Sequence, residues 1–288
     1  MEIIKFLQSF SNPALDTLFQ AITFLGEETF YILVLSLLFW CINKRLGYKL
    51  AFIILSNTCL NGVLKEIFNA ARPIGVEGIK SLRVETATGM SFPSGHTQGA
   101  AGFWSAVAEE VKKMWLYVVA AVIIILISVS RLYLGVHWPK DVVAGVLIGI
   151  LWTFIAGYVF ELSVRKDRKL LLLIIIIPTL IFLLFFKSSD YIKSTATLLG
   201  FFFGYCLEGR FINFSEKASI QIQLLKYLLG LAITLFLKTS IKAILPISAV
   251  SDFFRYIVIG LWISAGAPYL FKNVISKKKN TNFRNINM

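Results

Sequence analysis

The chain's two histidines, His96 and His137, are the side chains whose types and spacing best suit catalysis. Asp141 follows His137 by four residues, so on a helix its carboxylate can reach the imidazole. A carboxylate in that position fixes the tautomer of the ring and stabilises its cation. His137 is therefore a candidate nucleophile. His96 is a candidate acid that protonates a leaving oxygen and later activates water.

Three cations accompany the histidines in the sequence. Lys65 and Arg72 are seven residues apart, close to two helical turns, so both can share one helix face before Pro73 helps to end the helix. Arg131 follows Ser130 at the end of a later apolar segment. An arginine offers a planar fork to two oxygens and a lysine a compact point charge, and this combination matches a phosphate group.

The segment Pro93-Ser94-Gly95-His96 opens a helix and gives a second reason to expect an anion. Free backbone N–H groups and the helix dipole attract negative charge there, Gly95 allows close approach, and Ser94 adds a hydroxyl donor. We therefore expect phosphoryl transfer through a phosphohistidine on His137. Because no cluster of Asp and Glu in the sequence requires a metal, we expect neither metal nor cofactor, with the fixed cations supplying the electrostatic stabilisation.

Membrane helices must position these residues, because the composition is that of a polytopic membrane protein. Of the 288 residues, 57% are hydrophobic and 16% are charged, and the mean hydropathy is +0.75. A soluble domain has roughly 45–50% apolar and about 25% charged residues. The composition excludes a disordered chain, a collagen-like repeat and an ordinary cytosolic enzyme.

Apolar runs long enough for transmembrane helices predict an all-α bundle of about eight or nine spans, since each span needs about 20 mostly apolar residues. The candidate residues lie at the ends of four of these helices, and alternating helix directions place those four ends on the same face of the membrane. The expected spans lie near residues 28–43, 49–70, 95–111, 114–133, 141–163, 170–187, 191–208, 220–244 and 253–271.

The distribution of basic residues orients this bundle, since cytoplasmic loops are rich in Lys and Arg. Of the 29 Lys and Arg residues, 17 lie near residues 44–49, 112–113, 165–169, 210–226 and 272–284. We expect those loops in the cytoplasm, and the N-terminus and the polar cluster outside. The net charge of +13 is scattered between apolar runs rather than gathered into a stripe, so we expect no nucleic-acid partner.

Four parts are predicted along the chain. Residues 1–27 form an N-terminal interfacial segment without the features of a signal peptide, and residues 28–169 form the catalytic core. Residues 170–272 add further transmembrane helices, and residues 273–288 form a basic cytoplasmic tail. The three cysteines are widely spaced in or beside apolar runs, which indicates neither a disulfide framework nor a zinc site.

Residues 74–92 connect the first two polar segments and carry Lys80 and Arg83. We interpret both as solvated loop charges, with contact to a lipid headgroup or a second phosphate as the alternative. Glu27 and Glu28 are expected on the same face, where contact with Arg72 or Lys80 is the less favoured interpretation.

The polar segments together resemble the signature of the type 2 phosphatidic acid phosphatase superfamily, which reads K-x6-RP, then PSGH, then SR-x5-H-x3-D. The sequence matches it from Lys65 to Pro73, from Pro93 to His96 and from Ser130 to Asp141. The resemblance implies that His137 is the nucleophile, Asp141 its partner and His96 the general acid. The phosphate cradle that it implies consists of Lys65, Arg72, Ser94, Gly95 and Arg131.

The residues and the resemblance together predict a metal-independent lipid phosphatase of a bacterial cell membrane, with its site facing outside the cytoplasm. Candidate substrates are undecaprenyl diphosphate, phosphatidate, phosphatidylglycerol phosphate and a sphingoid phosphate. A lipid phosphotransferase that uses the same site is an open alternative, as is a non-catalytic phospholipid-binding or transport protein. Membrane lipids are expected partners, and the sequence does not indicate the oligomeric state. Helices after residue 170 lie beyond the usual core of the superfamily.

Overall fold

The computed structural model describes residues 1–275, and within that range the regular secondary structure is helical, with no strand. The predicted all-α class is therefore confirmed, whereas most of the predicted tail at 273–288 lies outside the described residues. The helices are α1 Glu2–Gln8, α2 Pro13–Phe24, α3 Glu28–Leu37, α4 Lys44–Phe68, α5 Gly95–Val111, α6 Met114–Tyr133, α7 Pro139–Arg165, α8 Leu173–Phe182, α9 Ser189–Leu207, α10 Ile220–Ile244, α11 Ala249–Leu261 and α12 Ala267–Leu270.

Five helical stretches in the described part of the chain are long and apolar enough to cross a membrane. A sixth span results if the pair Pro13–Phe24 and Glu28–Ile42, which is bent by 48°, is counted as one. The predicted number of eight or nine spans is therefore not confirmed. The five stretches are Lys44–Phe68, Met114–Tyr133, Pro139–Arg165, Ile220–Ile244 and Ala249–Asn273.

Three of the predicted spans are shorter or more polar than a lipid-facing helix. Helix α5 has 17 residues and α8 has 10, while α9 carries the charged residues Asp190 and Lys193 in its first turns. Helix α5 packs against α6 and α7, and α9 packs against α4 and α11. Because neighbouring helices cover α5 and α9, the sequences of these two helices need not be apolar on every side.

The outward faces of α6 and α7 are strongly apolar. Ile125, Leu147, Leu151 and Phe154 are each more than half exposed. An exposed apolar surface of this extent requires a cover, and on helices long enough to span a bilayer that cover is lipid. The protein is accordingly an integral membrane protein.

One apolar core joins the helices up to α7 with those that follow. Trp40 and Tyr48 pack together with Phe201 in this core. The indole of Trp40 donates to the carbonyl of Ile263 over 3.0 Å, and the hydroxyl of Tyr48 donates to the carbonyl of Ser264 over 2.9 Å. The later helices are thus packed as part of the same body as the predicted catalytic core.

Ion pairs connect the helix ends that lie farthest from the histidines. Lys49 of α4 lies 2.6 Å from Glu110 of α5 and 3.0 Å from Glu161 of α7. Arg45 lies 2.7 Å from the same Glu161. These contacts fix the start of α4 against the ends of α5 and α7, which sets the relative heights of the three helices.

Candidate active site

Four helix ends meet in one buried cluster: the end of α4, the start of α5, the end of α6 and the start of α7. The backbone N–H of Ser94 donates to the carbonyl of Asp141 over 3.0 Å, which joins the starts of α5 and α7. Arg72, just beyond α4, donates through Nη1 to the carbonyl of Val136 over 2.9 Å and lies 3.0 Å from Nε2 of His137. The structure therefore brings the four polar segments of the sequence together.

His137 and Asp141 approach each other through a helix start, not through a helical turn. His137 precedes α7, while Asp141 is in the first turn and accepts the backbone N–H of Trp138 over 2.8 Å in a capping box. The same oxygen, Oδ2, accepts the hydroxyl of Ser91 over 2.5 Å and lies 3.5 Å from Nδ1 of His137. The four-residue spacing thus brings the pair together, but by a geometry that differs from the expected one.

The contact with Arg72 determines which nitrogen of His137 carries the proton. A guanidinium has only donors, so Nε2 must accept, and the proton of the neutral ring lies on Nδ1. Nδ1 faces Asp141, whose carboxylate favours a proton at that position. His137 therefore holds the lone pair of Nε2 toward the cation cluster.

The electrostatic surroundings keep this ring neutral. Burial lowers the pKa of His137 well below its usual range, and the nearby Arg72 and Arg131 lower it further. Burial also lowers the pKa of Arg72, to about 10, against the opposing effect of the carboxylates Asp141 and Asp190. Asp190 belongs to α9, so the later helices add charge to the site.

Backbone carbonyls of the loop before α5 hold two of the cations. Lys65 donates through Nζ to the carbonyl of Thr88 over 3.0 Å. Arg72 donates to Thr88 over 2.7 Å, to Gly89 over 2.9 Å and to Met90 over 3.1 Å. The loop therefore fixes both side chains beside His137, using neutral acceptors that an oxyanion can outcompete.

Arg131 is the most unusual cation of the cluster. Its side chain is fully buried, and Nη1 donates to the hydroxyl of Thr23 over 2.8 Å. Within residues 1–275, its Nε and Nη2 have no hydrogen-bond partner. A buried charge with unpartnered donors is costly, and an oxyanion of suitable shape would satisfy both nitrogens.

Buried amides of α4 fix the segment that opens α5. Ser94 is the N-cap residue and is fully buried. A Cβ atom at Gly95 would lie 3.2 Å from Oδ1 of Asn61, so glycine permits α4 and α5 to approach closely. Asn61 also donates to the carbonyl of Pro93 over 3.2 Å and to the side chain of Gln98 over 2.8 Å. The helix start, with its free N–H groups, is thereby held rigidly.

His96 faces a carboxylate that the sequence motifs do not include. Its Nε2 lies 4.0 Å from Oε1 of Glu27, and Glu27 forms an ion pair of 2.6 Å with Arg83. Lys80 forms an ion pair of 2.7 Å with Asp16. Lys80 is about half exposed, which agrees with the interpretation as a solvated loop charge. Arg83 is instead held in a partly buried ion pair, so that interpretation is wrong for Arg83, and Glu27 binds Arg83 rather than the cations considered for it.

Four residues at the site lie outside the sequence motifs. Asn61 precedes Lys65 by four residues, so the two lie on the same face of a helix and the sequence alone can indicate Asn61 as a neighbour of the site. Ser91 stands just before the segment that opens α5, but nothing in its spacing indicates Asp141 as its partner. Thr23 and Glu27 come from a segment far away in the sequence, and no local pattern signals their contacts.

Comparison with known proteins identifies the class that this fold and site define. The sequence model of the PAP2 superfamily matches residues 46–165, a range that contains all the predicted site residues. The description "PAP2 superfamily phosphatase, transmembrane extension" matches residues 192–279. The chain belongs to the PAP2 superfamily, and its later helices correspond to an extension known in that superfamily.

Three similar proteins are named as phosphatases of lipid phosphates. Phosphatidylglycerophosphatase B of Bacillus subtilis is 30% identical, over 55% of this chain and 81% of its own. The undecaprenyl-diphosphatase of Sulfolobus acidocaldarius is 28% identical, over 59% of this chain and 84% of its own. A probable sphingosine-1-phosphate phosphatase of Dictyostelium discoideum is 31% identical over 56% of this chain, which spans only 42% of that protein's length. These names support a phosphatase of the hydrolase class.

Proposed function

We propose that this chain is a metal-independent membrane phosphatase that hydrolyses a lipid phosphate or diphosphate through a phosphohistidine at His137. The observation that carries the proposal is the buried guanidinium of Arg131, whose two unpartnered nitrogens lie in the same cluster as the neutral ring of His137. Fixed cationic donors next to a histidine with an available lone pair suit nucleophilic phosphoryl transfer.

In the binding step, the phosphate oxygens take the donors of Arg131, Arg72 and Lys65. The free N–H groups at the start of α5 add further donors. The hydroxyl of Ser94, which donates to the hydroxyl of Thr97 over 3.1 Å, adds another when it turns toward the phosphate. Arg72 then exchanges its contact with Nε2 of His137 for a phosphate oxygen. This exchange frees the nucleophilic lone pair when the substrate arrives.

In the first chemical step, Nε2 of His137 bonds to phosphorus and the bond from phosphorus to the lipid oxygen breaks. The bonding electrons leave with that oxygen, which takes a proton from His96. The developing positive charge on the ring of His137 is stabilised by Asp141, which Ser91 and the backbone of Trp138 hold in place.

In the second step, neutral His96 takes a proton from water as the water oxygen bonds to phosphorus. The bond from phosphorus to Nε2 breaks, and its electrons return to the imidazole of His137. Inorganic phosphate leaves, and both histidines regain their starting protonation states. The three fixed cations hold the phosphoryl oxygens throughout.

Apolar side chains beside the cluster support a lipid substrate. Ile67 and Phe68, between Lys65 and Arg72 in the sequence, are 55% and 56% exposed, and Met90 is 41% exposed. An acyl or isoprenyl chain that enters sideways from the membrane would contact such side chains. The named relatives suggest phosphatidylglycerol phosphate, undecaprenyl diphosphate or a sphingoid phosphate as the substrate, with phosphatidate as a further candidate. The charge bias of the loops supports a site outside the cytoplasm of a bacterial cell.

The test is phosphate release by the purified protein from a panel of these four lipids, with EDTA present and no added metal. We expect release from at least one lipid, together with an acid-labile phosphohistidine in rapidly quenched samples. His137→Ala should abolish both signals while the protein still inserts into the membrane. Lys140→Ala, an exposed neighbour, serves as the matched control and should retain activity.

Four outcomes would contradict the proposal. Normal turnover by His137→Ala would eliminate the histidine nucleophile, and strict dependence on added Mg²⁺ would eliminate the metal-free route. A phosphorylated lipid or sugar acceptor in the products would identify a phosphotransferase. Binding of these lipids without phosphate release would identify a binding or transport protein.

A further inference from the structure

The bend between α2 and α3 brings an acidic residue against the start of α5. Glu27 is the N-cap residue of α3, at a junction where the two helices differ in direction by 48°. The residue before it, Gly26, packs so closely that a Cβ atom there would lie 3.1 Å from the carbonyl oxygen of His96 and 3.3 Å from its Cβ. The backbone therefore holds Glu27 beside His96 independently of any side-chain contact.

The side chains of Glu27 and His96 face each other in a partly buried space. Nε2 of His96 is buried and has no hydrogen-bond partner in the described part of the chain. Oε1 of Glu27 lies 4.0 Å from that nitrogen. The same oxygen accepts a hydrogen bond from Nε of Arg83 over 2.8 Å and lies 2.6 Å from Nη2 in an ion pair, so Arg83 helps to fix the carboxylate in its place.

Four charged or titratable neighbours of His96 oppose a proton on its ring. Arg131 of α6, His137 before α7, Lys65 of α4 and Arg72 beyond α4 all act on it, and each is a cation or becomes one on protonation. Glu27, from the bend before α3, is the carboxylate that faces the ring, and Arg83 offsets part of its charge. The charge of Glu27 therefore favours a protonated ring at position 96, against these four neighbours.

We propose that Glu27 is a positioning residue for His96, which orients the imidazole and stabilises its protonated form for transfer of a proton to the lipid oxygen. The inference rests on the proposed function, in which His96 is the general acid. The bond from phosphorus to oxygen breaks, its electrons go to the oxygen, and the proton of His96 goes to the same atom. Neutral His96 then regains a proton from the attacking water. Glu27 itself neither gains nor loses a proton.

The test compares two substrates that differ in their need for an acid. From a lipid monophosphate the alcohol oxygen leaves as an alkoxide and needs the proton, whereas from p-nitrophenyl phosphate the leaving group is a stable phenolate that needs none; the lipid in this test is therefore a monophosphate. Glu27→Gln should lower kcat/KM for the lipid by on the order of tenfold, a part of the 10²–10⁴-fold that general acid catalysis supplies. For p-nitrophenyl phosphate, the same substitution should lower kcat/KM by less than about threefold. Glu28→Gln removes the same charge from the adjacent exposed residue and should change neither.

A second variant separates the proposed role from mere anchoring of Arg83. If Glu27 only holds the loop, Arg83→Gln should reproduce every effect of Glu27→Gln. If Glu27 acts on His96, Arg83→Gln keeps the negative charge at position 27 and should change the ratio of the two kcat/KM values less than Glu27→Gln does. An equal fall for both substrates in Glu27→Gln, or identical behaviour of the two variants, would overturn the proposal.

Nitrogen-15 NMR of labelled histidine gives a readout that does not depend on turnover. The chain has two histidines, so His137→Gln assigns both signals. In Glu27→Gln, the pH at which the His96 ring takes up its proton should fall by about one unit or more, a tenfold change in its proton affinity. An unchanged midpoint would refute the role of Glu27 even in an active enzyme. A shifted midpoint in a protein that releases no phosphate would instead refute the proposed function.

Discussion

The hydroxyl of Ser91 donates to Oδ2 of Asp141 over 2.5 Å, from a loop residue that is fully buried. Oδ1 of the same carboxylate is buried and has no partner within the described residues. The orientation of Asp141 toward His137 therefore depends on two donors at one oxygen, Ser91 and the backbone N–H of Trp138.

Ser91→Ala should lower kcat by about ten- to a hundredfold, because a hydrogen bond to a charged group contributes roughly 1.5–3 kcal/mol. KM for the lipid should change by less than about threefold, since the hydroxyl of Ser91 donates to Asp141 and, within residues 1–275, to none of the groups that bind phosphate. Steady-state kinetics in detergent measures both constants. Ser81→Ala, which removes a loop hydroxyl that donates to the carbonyl of Gly135, is the control. An unchanged kcat would mean that the backbone donor alone positions Asp141.

Thr23→Val should weaken phosphate binding, because it removes the only side-chain acceptor that Arg131 has in the described structure. Valine keeps the shape of threonine, so the effect comes from the hydroxyl. We expect the inhibition constant of inorganic phosphate to rise about fivefold, the equivalent of a neutral hydrogen bond near 1 kcal/mol. Thr17 lies on the same helix, and its hydroxyl donates to the backbone carbonyl of Pro13. Thr17→Val should therefore leave the inhibition constant unchanged. Equal constants for both variants would show that Thr23 does not position Arg131.

His137 should remain neutral, with its proton on Nδ1, down to pH values well below 6.5. Burial and the nearby cations disfavour the charged ring, so they lower the pKa of His137. The lone pair of Nε2 therefore stays available in weak acid. Nitrogen-15 NMR distinguishes the two tautomers directly. Arg72→Gln should raise this pKa toward 6.5, since it removes one cation. A midpoint at or above 6.5 in the parent protein, or a proton on Nε2, would contradict this account.

Gly230→Ala should destabilise the protein, because a Cβ atom there would lie 2.4 Å from the ring of Trp40. Overpacking of this kind costs about 1–3 kcal/mol, which exceeds the gain in helix propensity. Gly157→Ala is the matched control, since its nearest atom, on Ile53, would lie 3.7 Å away. Thermal unfolding followed by tryptophan fluorescence should show a lower Tm for the first variant alone. Equal Tm values would indicate that α10 adjusts freely against Trp40.

The apolar runs and the motifs were sufficient to predict the helical class and the residues that gather at the site. Lys65, His96 and His137 are identifiable because motif spacing and helix direction are local properties of the chain. The number of membrane spans could not be predicted in this way, because hydropathy does not reveal which helices are covered by protein. Helix α5 is short and rich in small residues since α6 and α7 surround it.

The sequence alone determined the chemical types at the site: two imidazoles, a carboxylate and three cations at fixed spacings. Only the tertiary structure decided how they are held, with Ser91 on Asp141, Thr23 on Arg131 and Glu27 facing His96. Hydrogen bonds and ion pairs between segments far apart in the chain depend on distances that folding creates. No periodicity within one segment encodes such a distance, so these partners became visible only when the helices packed together.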